Sequence, residues 1–98
     1  MNLQSMMKQA QAFQKDMMKI KNEIDNTEFV GENSMIKVTM KGNREVLNVE
    51  LKFEDSLDKE DIEMLQEMIV SAVNEVNKKI DATTENKMGK FGNIPGLF

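Results

Sequence analysis

Apolar residues open the chain at Leu3, Met6, Ala10, Phe13, Met17, Ile20 and Ile24, alternately three and four residues apart. That is the spacing of a heptad seam, which keeps one narrow stripe of a helix turned toward a partner along its length. It predicts a helix over residues 3–25, uninterrupted by glycine or proline, with Asp25-Asn26-Thr27 as its stop. From Phe29 the period changes to two. After a turn at Glu32-Asn33-Ser34, Ile36, Val38 and Met40 alternate with polar neighbours, and Leu47, Val49 and Leu51 do the same further on. Each run reads as a strand with one buried face. Gly42-Asn43 between them reads as a tight turn that sets Lys41 against Arg44, Val38 against Leu47 and Ile36 against Val49. Phe29-Val30 supplies a short first strand.

A second helix is announced by Asp58 with Asp61 three residues on, a capping arrangement ahead of Ile62, Met64, Leu65, Met68, Ile69, Ala72, Val73, Val76 and Ile80. It should run to about Met88. Its apolar stripe is broad to Val76 and thins afterwards, so the first half is expected to pack on the sheet and the first helix while the second half projects. Gly89, Gly92, Pro95 and Gly96 then end regular structure. The expectation is an α+β fold of long helix, three-stranded antiparallel sheet and long helix, with one domain over residues 1–88 and a mobile tail over 89–98.

Length changes this picture. Helices of these lengths span roughly 35 and 45 Å, whereas a compact chain of this size has a radius of gyration of about 13 Å. The helices must protrude, and a three-stranded sheet leaves an edge open. Both features predict a homodimer, with Ile36, Val38, Met40, Leu47, Val49 and Leu51 as the expected interface.

Composition narrows the chemistry. Among 98 residues there is no cysteine and no histidine, which removes thiolate and imidazole metal ligands, the usual general base and most nucleophile–base pairs. The acidic stretch Glu54, Asp55, Asp58, Glu60, Asp61 and Glu63 lacks calcium-loop spacing and suits the positive end of a starting helix. No enzyme activity, cofactor, metal or small-molecule substrate is expected. No apolar run approaches the roughly 18 residues of a membrane span, and the first residues do not read as a signal peptide, so a cytoplasmic location is expected with no membrane partner.

Several stretches together resemble the YbaB/EbfC family of nucleoid-associated proteins. They are Met6-Met7-Lys8-Gln9-Ala10-Gln11 with the heptad that follows, Ile36-Lys37-Val38-Thr39-Met40-Lys41-Gly42, Val49-Glu50-Leu51 leading to Ser56-Leu57, and Leu65-Gln66-Glu67-Met68-Ile69-Val70-Ser71-Ala72-Val73-Asn74-Glu75. The likeness covers about residues 3–90. It implies a dimer joined through its sheets, with helices projecting as arms, that binds DNA and helps to organise the nucleoid.

The net charge of −4 opposes binding to a polyanion, so its distribution matters. Residues 1–22 hold Lys8, Lys15, Lys19 and Lys21 against Asp16 alone, a local charge of +3, while 23–57 and 58–98 carry −4 and −3. Lys8, Lys15 and Lys19 fall opposite the seam. A second group, Lys78, Lys79, Lys87 and Lys90, lies late in helix two and just beyond it. These lysines are the candidate DNA contacts, and the plain alternative is a solvated helix face or, for the second group, cations meeting a helix C-terminus. With 12 lysines, one arginine at the hairpin turn and no Trp or Tyr, phosphate contact to double-stranded DNA with little sequence preference is the expected mode. The 10 methionines read first as core filler. Two other classes remain open: a prefoldin-like holdase, which shares the order helix, hairpin, helix, and a protein-interaction module.

Overall fold

The computed structural model describes residues 2–54 and 56–89. The elements are α1 (Leu3–Asp25), β1 (Glu28–Glu32), β2 (Ile36–Lys41), β3 (Val46–Leu51) and α2 (Lys59–Met88), the α+β order that the sequence predicts. Asn2 caps α1 by accepting a hydrogen bond from the Ser5 N–H at 2.8 Å. At the other end Asn26 and Thr27 donate from their side chains to the carbonyls of Asn22 and Glu23, at 2.8 and 2.6 Å. Such local bonds compete with helix propagation and suit a stop. Asp58 and Asp61 form a reciprocal capping box at the start of α2.

The sheet is antiparallel in the order β1-β2-β3. The Asn33 side chain shapes the first turn by accepting from the N–H groups of Met35 and Ile36. The second hairpin departs from the expected register. Lys41 donates to the Glu45 carbonyl at 2.9 Å, enclosing Gly42, Asn43 and Arg44, with Arg44 in the left-handed region at φ 76°. A bulge follows, because Met40 pairs with Val46 but Thr39 pairs with Asn48, leaving Leu47 as an extra residue. Each device advances the pairing by one residue. Val38 therefore faces Val49 and Ile36 faces Leu51, two positions beyond the expected partners. Because two steps restore the alternation, the apolar faces still coincide.

The core lies between α2 and the first two strands. Ile36, Val38 and Met40 pack against Ala72, Val76 and Ile80, flanked by Phe29, Met68 and Val73. Gly31 permits this contact, since a Cβ there would strike the Ala72 carbonyl oxygen. A second cluster joins Met17, Ile20 and Ile24 of α1 to Met88. The two helices run antiparallel: the hairpin at Gly42 backs onto the Ile24 carbonyl, Arg44 of the same hairpin reaches Asp81, and Met88 lies beyond, against Met17.

This arrangement reverses the expectation for α2. Its middle and C-terminal turns pack, and its first turns protrude with Ile62, Met64, Ile69 and Val70 exposed. Strands of five and six residues span only about 17–20 Å. That matches the helical stretch from Met68 to Ile80, about 18 Å long, and nothing of the sheet remains to cover the turns before it. The chain is correspondingly drawn out, with extents of 71 × 19 × 16 Å and a radius of gyration of 19.4 Å.

The same packing corrects half of the expected interface. Ile36, Val38 and Met40 are core residues of the single chain beneath α2, and present no surface to a partner. Leu47, Val49 and Leu51 are exposed, as is Val46. All six positions of β3 are open to solvent, because α2 lies over β1 and β2 and stops short of it.

Candidate nucleic-acid interface

The N-terminal turns of α1 extend past the cluster that joins it to α2, in which Met17 is the first buried residue of α1. Lys8, Lys15 and Lys19 lie on this arm and are exposed. At about 3.6 residues per turn they fall within roughly 40° of one another around the helix axis and cover about 16 Å of its length. None of the three forms a salt bridge among the described residues. Gln11 and Asn22 continue the same side, and an open depression along α1 is lined by Gln11, Gln14, Lys15, Met18, Lys19 and Asn22 together with Asp16, Glu23 and Asn26. Gln11 adds hydrogen-bond donors that charge alone does not reveal; its place between Lys8 and Lys15 on one stripe was the available signal.

Lys21 does not belong to that stripe. It sits roughly 140° away from Lys8, and its ammonium is 3.1 Å from the Asp25 carboxylate. The i,i+4 spacing of the two residues is the sequence signal for this pair.

The second group is not gathered by the fold. Lys78 and Lys87 are exposed, but nine residues of helix set them on roughly opposite sides of α2. Lys79 is held at 3.4 Å from Glu75 and donates to the Val30 carbonyl at 2.7 Å, tying α2 to β1. Lys90 lies outside the described residues, as does the rest of the segment 90–98. Arg44 is also engaged: its guanidinium bonds to the Asn77 side chain and pairs with Asp81. The sole arginine thus clamps the hairpin to α2.

Among the described residues one carboxylate has a resolved shift. Glu32 is held below its ordinary value, first by the hydrogen bond from Lys52 and then by the charge of that lysine, whose Nζ lies 3.1 Å away. This pair ties β1 to the residue after β3. The described residues contain no group of three or more acidic side chains placed to hold a metal ion, and no described helix is long and apolar enough to cross a membrane.

Fold and charge together describe a small α+β domain with a protruding cationic helix. The family profile for the YbaB/EbfC DNA-binding family matches residues 1–94. A nucleoid-associated protein of Ligilactobacillus salivarius is 41% identical, with 99% of this chain and 95% of that protein covered. One of Pelotomaculum thermopropionicum is 43% identical, with 99% and 96% covered. Among solved structures, an uncharacterized protein from Helicobacter pylori superposes with a TM-score of 0.71 over 95% of this chain and 99% of that one, at 19% identity, and so shares the fold. The chain belongs to the YbaB/EbfC DNA-binding family, as the resemblance in its sequence implies.

Proposed function

We propose that the protein is a nucleoid-associated, non-enzymatic homodimer that binds double-stranded DNA with little sequence preference. In doing so it would affect DNA conformation, nucleoid organisation and, through them, gene expression. The observation that carries this reading is the stripe of Lys8, Lys15 and Lys19 on an arm that nothing else described in the chain covers on that side. Lysine supplies charge without a planar fork for base edges, and phosphate contacts are indifferent to sequence. The engagement of Arg44 by α2 supports the same mode, because the residue best suited to guanine is occupied.

Dimerisation is supported by the open face of β3, where Val46, Val49 and Leu51 are each about half exposed, and by the apolar first turns of α2. A strand edge and a contiguous apolar surface left open together are what a second copy would cover. Two copies would double the number of lysine stripes.

Fluorescence anisotropy with two unrelated duplexes, at several salt concentrations, tests the reading. Equal affinity for both, falling steeply with salt, is expected. A chain that ignores both duplexes yet suppresses aggregation of an unfolded client would be a holdase, and the DNA reading would fail.

A further inference from the structure

Beside the lysine stripe of α1 runs a second line of exposed side chains. Gln11, Met18 and Asn22 follow one another at seven and four residues, so they fall within roughly 40° of one another around the helix axis. Lys8, Lys15 and Lys19 lie roughly 60° round on one flank of this line, and Gln14 lies on the other. Gln11, Gln14, Lys15, Met18, Lys19 and Asn22 line one open depression. Among the described residues, none bonds to the side-chain amide of Gln11, Gln14 or Asn22; Asn26 reaches Asn22 only at its backbone carbonyl. Met18 is 65% exposed, an apolar group set in the middle of a polar face. The core does not use it, because α1 meets Met88 through Met17, Ile20 and Ile24 on the other side of the helix.

We propose, on the DNA-binding reading above, that α1 lies in the major groove of the duplex. Gln11, Met18 and Asn22 then turn to the base edges, and the lysine stripe runs along one phosphate wall. The dimensions agree: a helix about 10–12 Å across enters a major groove about 12 Å wide and is excluded from a minor groove of about 6 Å. From Gln11 to Asn22 the helix rises about 16 Å, the length of about five base pairs at roughly 3.4 Å each. The chemistry agrees as well. A carboxamide carries two donors and an acceptor, so it finds a partner on any base pair displayed in the major groove. The Met18 thioether is flexible and apolar, suited to the methyl groups of thymine. Contacts of this kind add affinity with little selection among sequences. Asp16 and Glu23 keep clear of the bases, more than about 100° round the helix from the line. A helix resting on the phosphates from outside would use the lysines alone and leave this line idle.

The test is fluorescence anisotropy of the full-length protein against three forms of one duplex with a central A·T run. One is plain; in the second every cytosine is glucosylated 5-hydroxymethylcytosine, which fills the major groove; in the third netropsin fills the minor groove of the A·T run. The glucosylated duplex should bind about tenfold or more weakly than the plain one, and the netropsin-loaded duplex within about twofold of it. Gln11→Ala/Met18→Ala/Asn22→Ala, with unchanged circular dichroism, should bind the plain duplex about tenfold more weakly and hardly distinguish it from the glucosylated one. Its salt slope should equal that of the starting protein, because no phosphate contact is removed. Equal binding of plain and glucosylated duplexes, or a triple variant of unchanged affinity, would overturn the major-groove placement and leave DNA binding standing. So would a loss of binding caused by netropsin instead. Failure of the starting protein to bind the plain duplex would overturn the DNA-binding reading, and the placement with it.

Discussion

Val38 and Val49 stand opposite each other across β2 and β3, yet Val38 is 1% exposed and Val49 is 51% exposed. The limit of α2 runs between them. Val38→Asp places an unpaired charge in the core and should unfold the chain, a loss of more than about 4 kcal/mol. Val49→Asp should leave the secondary structure intact while abolishing assembly. Circular dichroism with sedimentation at micromolar concentration checks both, and a folded Val49→Asp dimer would show that the β3 face is not the interface.

Arg44 holds the hairpin to α2 at a backbone angle that L side chains disfavour, φ 76°. Arg44→Ala removes the pair with Asp81 and keeps the strain, whereas Arg44→Gly removes both. The glycine variant should be the more stable of the two by about 1 kcal/mol, measured by urea unfolding. Neither should alter the relative affinity for two unrelated duplexes.

Element order and helix limits were legible because each rests on local signals: the heptad of α1, the capping box at Asp58, the side-chain stops at Asn26 and Thr27. The hairpin register was not, because its two corrections add one residue each without disturbing the alternation. Neither Arg44, a non-glycine residue in the left-handed region, nor the bulge at Leu47 has a signature in an apolar pattern. The halves of α2 were exchanged for a different reason. An apolar stripe states which side of a helix wants cover, but the short strands decide which turns receive it. In the candidate site the stripe of Lys8, Lys15 and Lys19 was readable from helical periodicity alone. Lys79 was not, since its bond to the Val30 carbonyl depends on a tertiary contact.

Gly31 marks the closest approach of the sheet to α2. Gly31→Ala should cost about 3 kcal/mol, because the added methyl meets the Ala72 backbone and not a yielding side chain. Gly89→Ala is the control: nothing lies within 4 Å of its Cβ position, and its φ of −59° is helical. That substitution should be neutral or slightly stabilising. Urea midpoints with an unchanged slope would report both.

The Glu32–Lys52 pair sets a small dependence on acidity. A carboxyl whose folded value is depressed contributes stability that is fully present above its unfolded value and is lost as pH falls through the folded one. Stability from this pair should therefore be constant at neutral pH and decline only in the acidic range below the ordinary glutamate value. Lys52→Met should move the Glu32 carboxyl back up toward that value in a carbon-13 titration. An unchanged titration would mean that Lys52 is not the cause.

The measurement closest to the central claim is the salt dependence of duplex binding for Lys8→Gln/Lys15→Gln/Lys19→Gln, compared with Lys78→Gln/Lys87→Gln in equally folded protein. In a dimer each lysine of the stripe would occur twice. Each one removed should reduce the slope of log affinity against log salt by about 1.8, and the triple change by about 5, at roughly 0.9 per phosphate. The α2 variant should shift it far less, and both should weaken binding alike on unrelated sequences. An α1 triple variant that binds with the starting affinity and the starting slope would contradict the account.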